Sequence, residues 1–309
     1  MEDFKNFVKS IKKYPPSQEV MLSITVKAIS TTMESKMKKM LNDANLGFPI
    51  KFHHFPDIGY GIGTHYLINK IYSPDYIIFM SATSQFNNKH WFTLLITPLE
   101  NKKVGIVGSM SSLESINTSY LELAEIIIKN KFRLKLTQFQ ELVVVARNLP
   151  LKKYYFNFGD KDPASLKLFI FFIFKMTKNH IFPLKYRSQI PKFPNPHLRT
   201  TGLAIKGELL DKIVGQIPGT KEEEILLESG FNGISAKAKQ LGYTVYVCNQ
   251  SGEYLDISDV RASRTFRSTQ QTSIIIDMHC LVFDSYAEER QKAFEYLMTT
   301  NREPSFLKY

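Results

Sequence analysis

The 309-residue chain carries 40 Lys and Arg against 29 Asp and Glu, a formal net charge of +11, with 43% apolar and 22% charged residues. That balance suits a soluble globule able to bury a full core and excludes a disordered chain. No run approaches the roughly 20 apolar residues that span a bilayer, and the opening Met1-Glu2-Asp3-Phe4-Lys5 lacks the apolar core of a signal peptide, so the expected location is the cytoplasm or the inner face of a membrane.

Cys248 and Cys280 are too few and too isolated for a disulfide scaffold or a thiolate metal cage. The lysine excess points to a polyanionic partner, which charge alone cannot identify: nucleotide phosphates, an anionic membrane surface, a phosphorylated acceptor or nucleic acid. A lysine-rich solvated surface is the alternative.

In chain order, the first 20 residues read as an N-terminal extension. Leu22 to Ala28 alternates apolar and polar residues as a short strand, and Thr31-x-x-Glu34 offers a capping box for a helix. Met33, Met37, Met40 and Leu41 follow at helical spacing as core positions, with Gly47 as a stop signal. Next comes the glycine repeat Asp57-Ile-Gly59-Tyr-Gly61-Ile-Gly63, a short helix-like segment, and the apolar run Tyr76 to Met80. This succession predicts a loop, a helix and a buried parallel strand, the unit of nucleotide-binding α/β folds. A helix around Trp91 to Leu95 and a strand at Val104 to Gly108 extend the rhythm into a doubly wound sheet.

From 113 to 193 the rhythm breaks into a basic, aromatic-rich insertion, with a helix-like Leu121 to Lys129, a possible strand Leu142 to Arg147 and an apolar stretch Leu168 to Phe174. That stretch suits a buried element or one lying on a membrane. From Pro194 the α/β pattern resumes: Leu203 to Ile205, a helix after Gly207, one helix from about Lys221 to Leu241, and a strand Tyr243 to Cys248. The predicted organisation is therefore an extension over 1–20, a first half over 21–112, the insertion over 113–193 and a second half over 194–309, forming one continuous domain.

The glycine repeat is compatible with several chemistries. A dinucleotide fingerprint needs G-x-G-x-x-G and an acidic residue about 20 residues later, neither of which is present. A methyltransferase-like acidic-x-Gly-x-Gly-x-Gly loop fits the letters, although the preceding Lys51 to Phe55 is polar for a central parallel strand. A turn with no ligand is the third reading.

The segments Phe55 to Gly63, Asp75 to Ser84, Trp91 and Val104 to Ser109, followed by Asn195-Pro-His197-Leu-Arg199-Thr-Thr-Gly202, Glu228-Ser229-Gly230 and Gln240 to Tyr243, resemble in order and spacing bacterial family-2-like glycosyltransferases of the GT-A fold. The resemblance runs from about Leu22 to Phe283, the basic insertion excepted. It implies a GT-A-like doubly wound mixed sheet flanked by helices, with a donor-binding half before the insertion and an acceptor-binding half after it. It further implies a nucleoside-diphosphate sugar as donor and a glycan or other hydroxyl compound as acceptor, with inversion of the anomeric centre.

Residue by residue, the resemblance puts Asp57 and Gly59 beside the base and ribose. It puts Ser81-Ala-Thr83 where many such enzymes carry an Asp-x-Asp pair holding a divalent cation. Hydroxyls are poor sole ligands for Mg²⁺ or Mn²⁺, so the sequence leaves metal use open and offers Arg199 or Lys206 for the leaving-group charge. Glu228 matches the general base, while Glu222, Glu223 and Glu224 read as a solvated helix start. His197, in a Pro-flanked loop, and Gln270, Asp277 and His279, around the apolar Ile274 to Ile276, are secondary candidates. A structural role is the alternative for each of these residues, and a noncatalytic binder of nucleic acid or of a membrane surface is the alternative for the whole chain.

Overall fold

In the computed structural model, residues 1–115, 186, 188–265 and 272–285 are described. The chain divides into two compact units, Met1–Leu113 with Asn195–Tyr286, and Glu114–Pro194 with Ala287–Tyr309. Most of the predicted insertion, with its helix, its strand and Leu168 to Phe174, lies outside the described residues.

The first unit begins with helix α1 (Glu2–Lys13), whose Phe4, Phe7, Val8 and Ile11 share one face and are buried in the core. The first 20 residues thus supply core rather than a loose extension. Strand β1 (Leu22–Val26) leads to helix α2 (Thr31–Ala44). Ser30 caps that helix, its hydroxyl accepting from the Met33 N–H at 3.2 Å. The capping frame is therefore one residue earlier than the Thr31 box predicted, and Glu34 is left to pair with Lys38 at 2.6 Å and His54 at 3.0 Å.

Strand β2 (Ile50–His54) pairs in parallel with β1, so the segment that reads as polar for a strand is one. Helix α3 (Tyr60–Tyr72), strand β3 (Tyr76–Phe79), the two-residue strand β4 (Gln85–Phe86) and helix α4 (Trp91–Ile96) follow. Then come β5 (Val104–Gly108), β6 (Ser111–Ser112), β7 (His197–Leu198), β8 (Leu203–Lys206) and helix α5 (Gly207–Val214). Helices α6 (Lys221–Ser229) and α7 (Ile234–Gln240), strands β9 (Thr244–Cys248), β10 (Tyr254–Asp256) and β11 (Ile275–Ile276), and helix α8 (Met278–Asp284) complete the unit.

The main sheet has the order β10-β9-β5-β8-β3. Strand β5 runs parallel to β9 and antiparallel to β8, and β3 pairs with β8 antiparallel. The fold is thus mixed α/β. The apolar run at Tyr76 correctly marks a strand, but its described ladder is antiparallel, because an apolar run reports burial and carries no information on direction.

The predicted single helix over 221–241 is two. Gly230 and Gly233 hold extended backbone (ψ 171° and 165°) between α6 and α7. The break leaves the Ser229 carbonyl to accept from the Asn195 side-chain amide at 2.8 Å in the interior. Among the described residues no helix is long and apolar enough to cross a membrane.

Candidate active site

At the end of the sheet where β3 and β5 finish and β8 begins, a cavity of about 250 Å³ is lined by residues from six parts of the chain. Ser81 and Thr83 come from the turn after β3, Met110 from the turn after β5, and Arg199, Thr200 and Thr201 from the turn between β7 and β8. Lys221, Glu224 and Glu228 come from α6, Ile62 from the first turn of α3, and Asp277 and Met278 from the start of α8. An open α/β sheet commonly presents its ligand at the carboxyl ends of its strands, and this cavity has that position.

Helix α6 supplies the acidic wall. Thr220 caps it, accepting from the Glu223 N–H at 3.2 Å, and Glu223 in turn accepts from the Gly219 N–H at 2.7 Å. Lys221, Glu224 and Glu228 are spaced three and four apart, which puts all three on one stripe of the helix.

Glu228 Oε1 accepts from the Thr200 N–H at 3.2 Å and from its hydroxyl at 3.4 Å, and Oε2 lies 3.3 Å from the Arg199 guanidinium. The two side chains retain 15% and 16% of their exposure. Arg199 is thus in a shielded pair, screened less by water than the surface ion pair that the sequence allows for it.

Glu224 is buried, against the expectation of a solvated helix start. Its Oε1 accepts from the N–H groups of Gly61 at 2.7 Å and Ile62 at 3.3 Å, the first turn of α3, and its Oε2 is bonded by Lys221. Glutamate thus meets free donors that a glycine-rich helix start offers to anions. The glycines serve close packing: Gly59 has φ +75°, a Cβ on it would lie 2.7 Å from Ile217, and one on Gly63 would lie 2.8 Å from Pro218. Ile217 and Pro218 thus pack directly on the glycine turn.

Lys27 braces the same turn, its ammonium donating to the carbonyls of Ile58 at 2.5 Å and Tyr60 at 2.8 Å. Burial pulls the Lys27 pKa below its ordinary value, and the nearby carboxylates of Asp57 and Glu224 oppose that shift. Tyr60 itself stands in left-handed backbone at φ +47°, sparsely populated for a non-glycine residue.

His65 ties α3 to the end of β3. Its Nδ1 lies 2.7 Å from the Gly61 carbonyl and its Nε2 takes the Met80 N–H at 3.3 Å. A carbonyl can only accept and an amide N–H can only donate, so the partners fix a neutral ring protonated at Nδ1. The ring stacks on Phe79 at 4.2 Å, and burial pushes its pKa down.

Of the residues singled out from sequence, Ser81, Thr83, Arg199, Glu228 and Asp277 share the cavity. Asp277 accepts from the N–H and thiol of Cys280, both at 3.4 Å, and burial pushes that thiol's pKa up. Asp57 and Gly59 are not in the lining: Asp57 is exposed and Gly59 is packed against Ile217.

Lys206 is at the opposite end of β8, donating to the carbonyls of Asn101 at 3.0 Å and Lys102 at 3.4 Å, which removes it from any leaving group. His197 is buried in β7 rather than turned to the cleft, its Nδ1 2.7 Å from the Asn195 carbonyl. Gln270 and the side chain of His279 lie outside the described residues.

Sequence reading missed Glu224, Lys221, Thr200 and Thr201. The three-and-four spacing with Glu228 is a signal that would have found the first two. Comparison with protein families, with curated proteins and with solved structures gave no match.

Proposed function

We propose that the chain is a glycosyltransferase of GT-A-like architecture, transferring a sugar from a nucleoside-diphosphate donor to a hydroxyl acceptor with inversion. The observation that carries this reading is the meeting, in one cavity at the carboxyl ends of β3 and β5, of Ser81, Thr83, Arg199 and Glu228. These residues are separated by up to 147 positions in the sequence; the resemblance had pointed to Ser81, Thr83 and Glu228, and residue chemistry had offered Arg199 for the leaving-group charge.

In the proposed reaction the acceptor oxygen forms a bond to the anomeric carbon and the bond from that carbon to the diphosphate oxygen breaks. The bonding pair leaves on the diphosphate, and the acceptor proton passes to Glu228. The Thr200 N–H and hydroxyl hold the Glu228 carboxylate in place, so it is positioned rather than free to swing.

A panel of nucleotide-sugars, free nucleotides and S-adenosylmethionine, scored by the shift in melting temperature, tests the reading. A ligand at 100 times its Kd stabilises by roughly 2.7 kcal/mol, well within reach of the measurement. Stabilisation by one nucleoside-diphosphate class is expected. Stabilisation by S-adenosylmethionine alone would move the assignment to methyl transfer, and none with any compound would favour a binding protein.

A further inference from the structure

We infer that the cavity grips the donor diphosphate with the Lys221 ammonium and the Arg199 guanidinium, and that this pair does the charge neutralisation that a divalent cation does in the resembling enzymes. The inference rests on the transferase reading above.

The donor set at the strand end does not suit a hard cation. Ser81 Oγ lies 2.9 Å from Thr83 Oγ1 and 3.2 Å from Ser84 Oγ, so these neutral hydroxyls satisfy one another. Mg²⁺ and Mn²⁺ favour anionic oxygens. The two glutamates of the cavity are engaged, Glu224 by two backbone N–H groups and Lys221, Glu228 by Thr200 and Arg199. Among the described residues no group of three His, Cys, Asp or Glu side chains is arranged to hold a metal ion.

The cations, by contrast, are in the lining. Arg199 is shielded, with 16% of its side chain exposed, and presents a fixed planar fork suited to phosphate oxygens. Lys221 has 62% of its side chain exposed and reaches Glu224 from the outer side. Its flexible stem lets the ammonium turn to a phosphate, and Glu224 remains held by the Gly61 and Ile62 N–H groups when it does.

Lys221 and Arg199 stand against three lining carboxylates, Glu224, Glu228 and Asp277. A diphosphate entering such a cavity is repelled unless both cations turn from carboxylate to phosphate. Lys221, which the sequence did not flag, therefore takes the role offered to Lys206.

Calorimetric titration of the full chain with UDP, GDP, CDP, ADP and TDP, and with the matching nucleosides, in EDTA and in Mn²⁺, tests this. Wild type, Lys221→Met and the control Lys212→Met, on the outer face of α5, are compared. One diphosphate is expected to bind wild type equally in both buffers. Lys221→Met should weaken that binding about tenfold or more, the range for losing a charge-assisted hydrogen bond, with nucleoside binding and the control unchanged.

Binding that needs Mn²⁺, or equal binding by Lys221→Met and wild type, would overturn the inference while leaving a nucleotide site intact. No diphosphate binding to wild type in either buffer would instead remove the transferase reading and this inference with it.

Discussion

Glu224 is a cavity residue whose removal should cost stability. Its carboxylate satisfies the N–H groups of Gly61 and of the buried Ile62 at the start of α3. In Glu224→Ala those donors lose their partner, a loss of about 1–3 kcal/mol by chemical denaturation, whereas Glu224→Gln keeps an acceptor and loses less. Equal stability of Glu224→Ala and wild type would show that solvent replaces the carboxylate at no cost.

His65 gives the pH dependence. Its folded pKa lies below the ordinary 6.5, so the unfolded chain takes up a proton first as the pH falls. Stability from this group is complete above about 6.5 and is lost as the pH falls from there toward the lowered folded value. His53, lowered by burial and by Lys51 and His54, acts in the same direction. Melting curves between neutral and mildly acidic pH should therefore fall more steeply for wild type than for His65→Gln; parallel curves would contradict the fixed neutral ring. Sequence reading singled out Arg199, Glu228 and Asp277, which the fold brings into one cavity. It did not single out Glu224, because three consecutive glutamates at a helix start look alike until the fold turns one of them inward.

At the level of elements, the junction of β3, β8 and β5 is set by the turn before β8. Gly202 holds φ +70°, its N–H donates to the Phe79 carbonyl at 2.8 Å and its carbonyl accepts from Ser109 at 2.9 Å. A Cβ there would fall 2.0 Å from the Ser109 hydroxyl. Gly202→Ala combines that clash with a left-handed backbone and should lower stability by about 1–3 kcal/mol, with an added loss of any ligand binding because Arg199 to Thr201 lead into this turn. Unchanged stability would mean the turn relaxes freely.

Element existence was readable wherever periodicity or an apolar run was strong, as at α2, β3, β5 and β9. Direction and breaks were not. The antiparallel pairing of β3 with β8 joins segments about 125 residues apart in the sequence, and the Ser229 carbonyl left at the break between α6 and α7 is met by Asn195, 34 positions away. Local sequence carries neither fact.

For the whole molecule, the first unit is made of two stretches, Met1–Leu113 and Asn195–Tyr286, that share one sheet. Strands β3 and β5 come from the first stretch and β8 and β9 from the second, and the cavity opens where their ends meet. The mixed α/β class was legible from the alternation of apolar runs and helical spacing. The cavity was legible only in part, since Lys221 and Glu224 enter it through the way α6 is rotated against α3.

The measurement that bears most directly on the transferase assignment is the release of nucleoside diphosphate from the donor class that stabilises the protein, followed alongside sugar transfer to a hydroxyl acceptor, for wild type and Glu228→Gln at equal donor occupancy. The account predicts coupled release and transfer by wild type. It also predicts a fall of about two orders of magnitude or more in Glu228→Gln with donor binding nearly intact, the range expected for loss of a general base. Transfer at the wild-type rate by Glu228→Gln would contradict it.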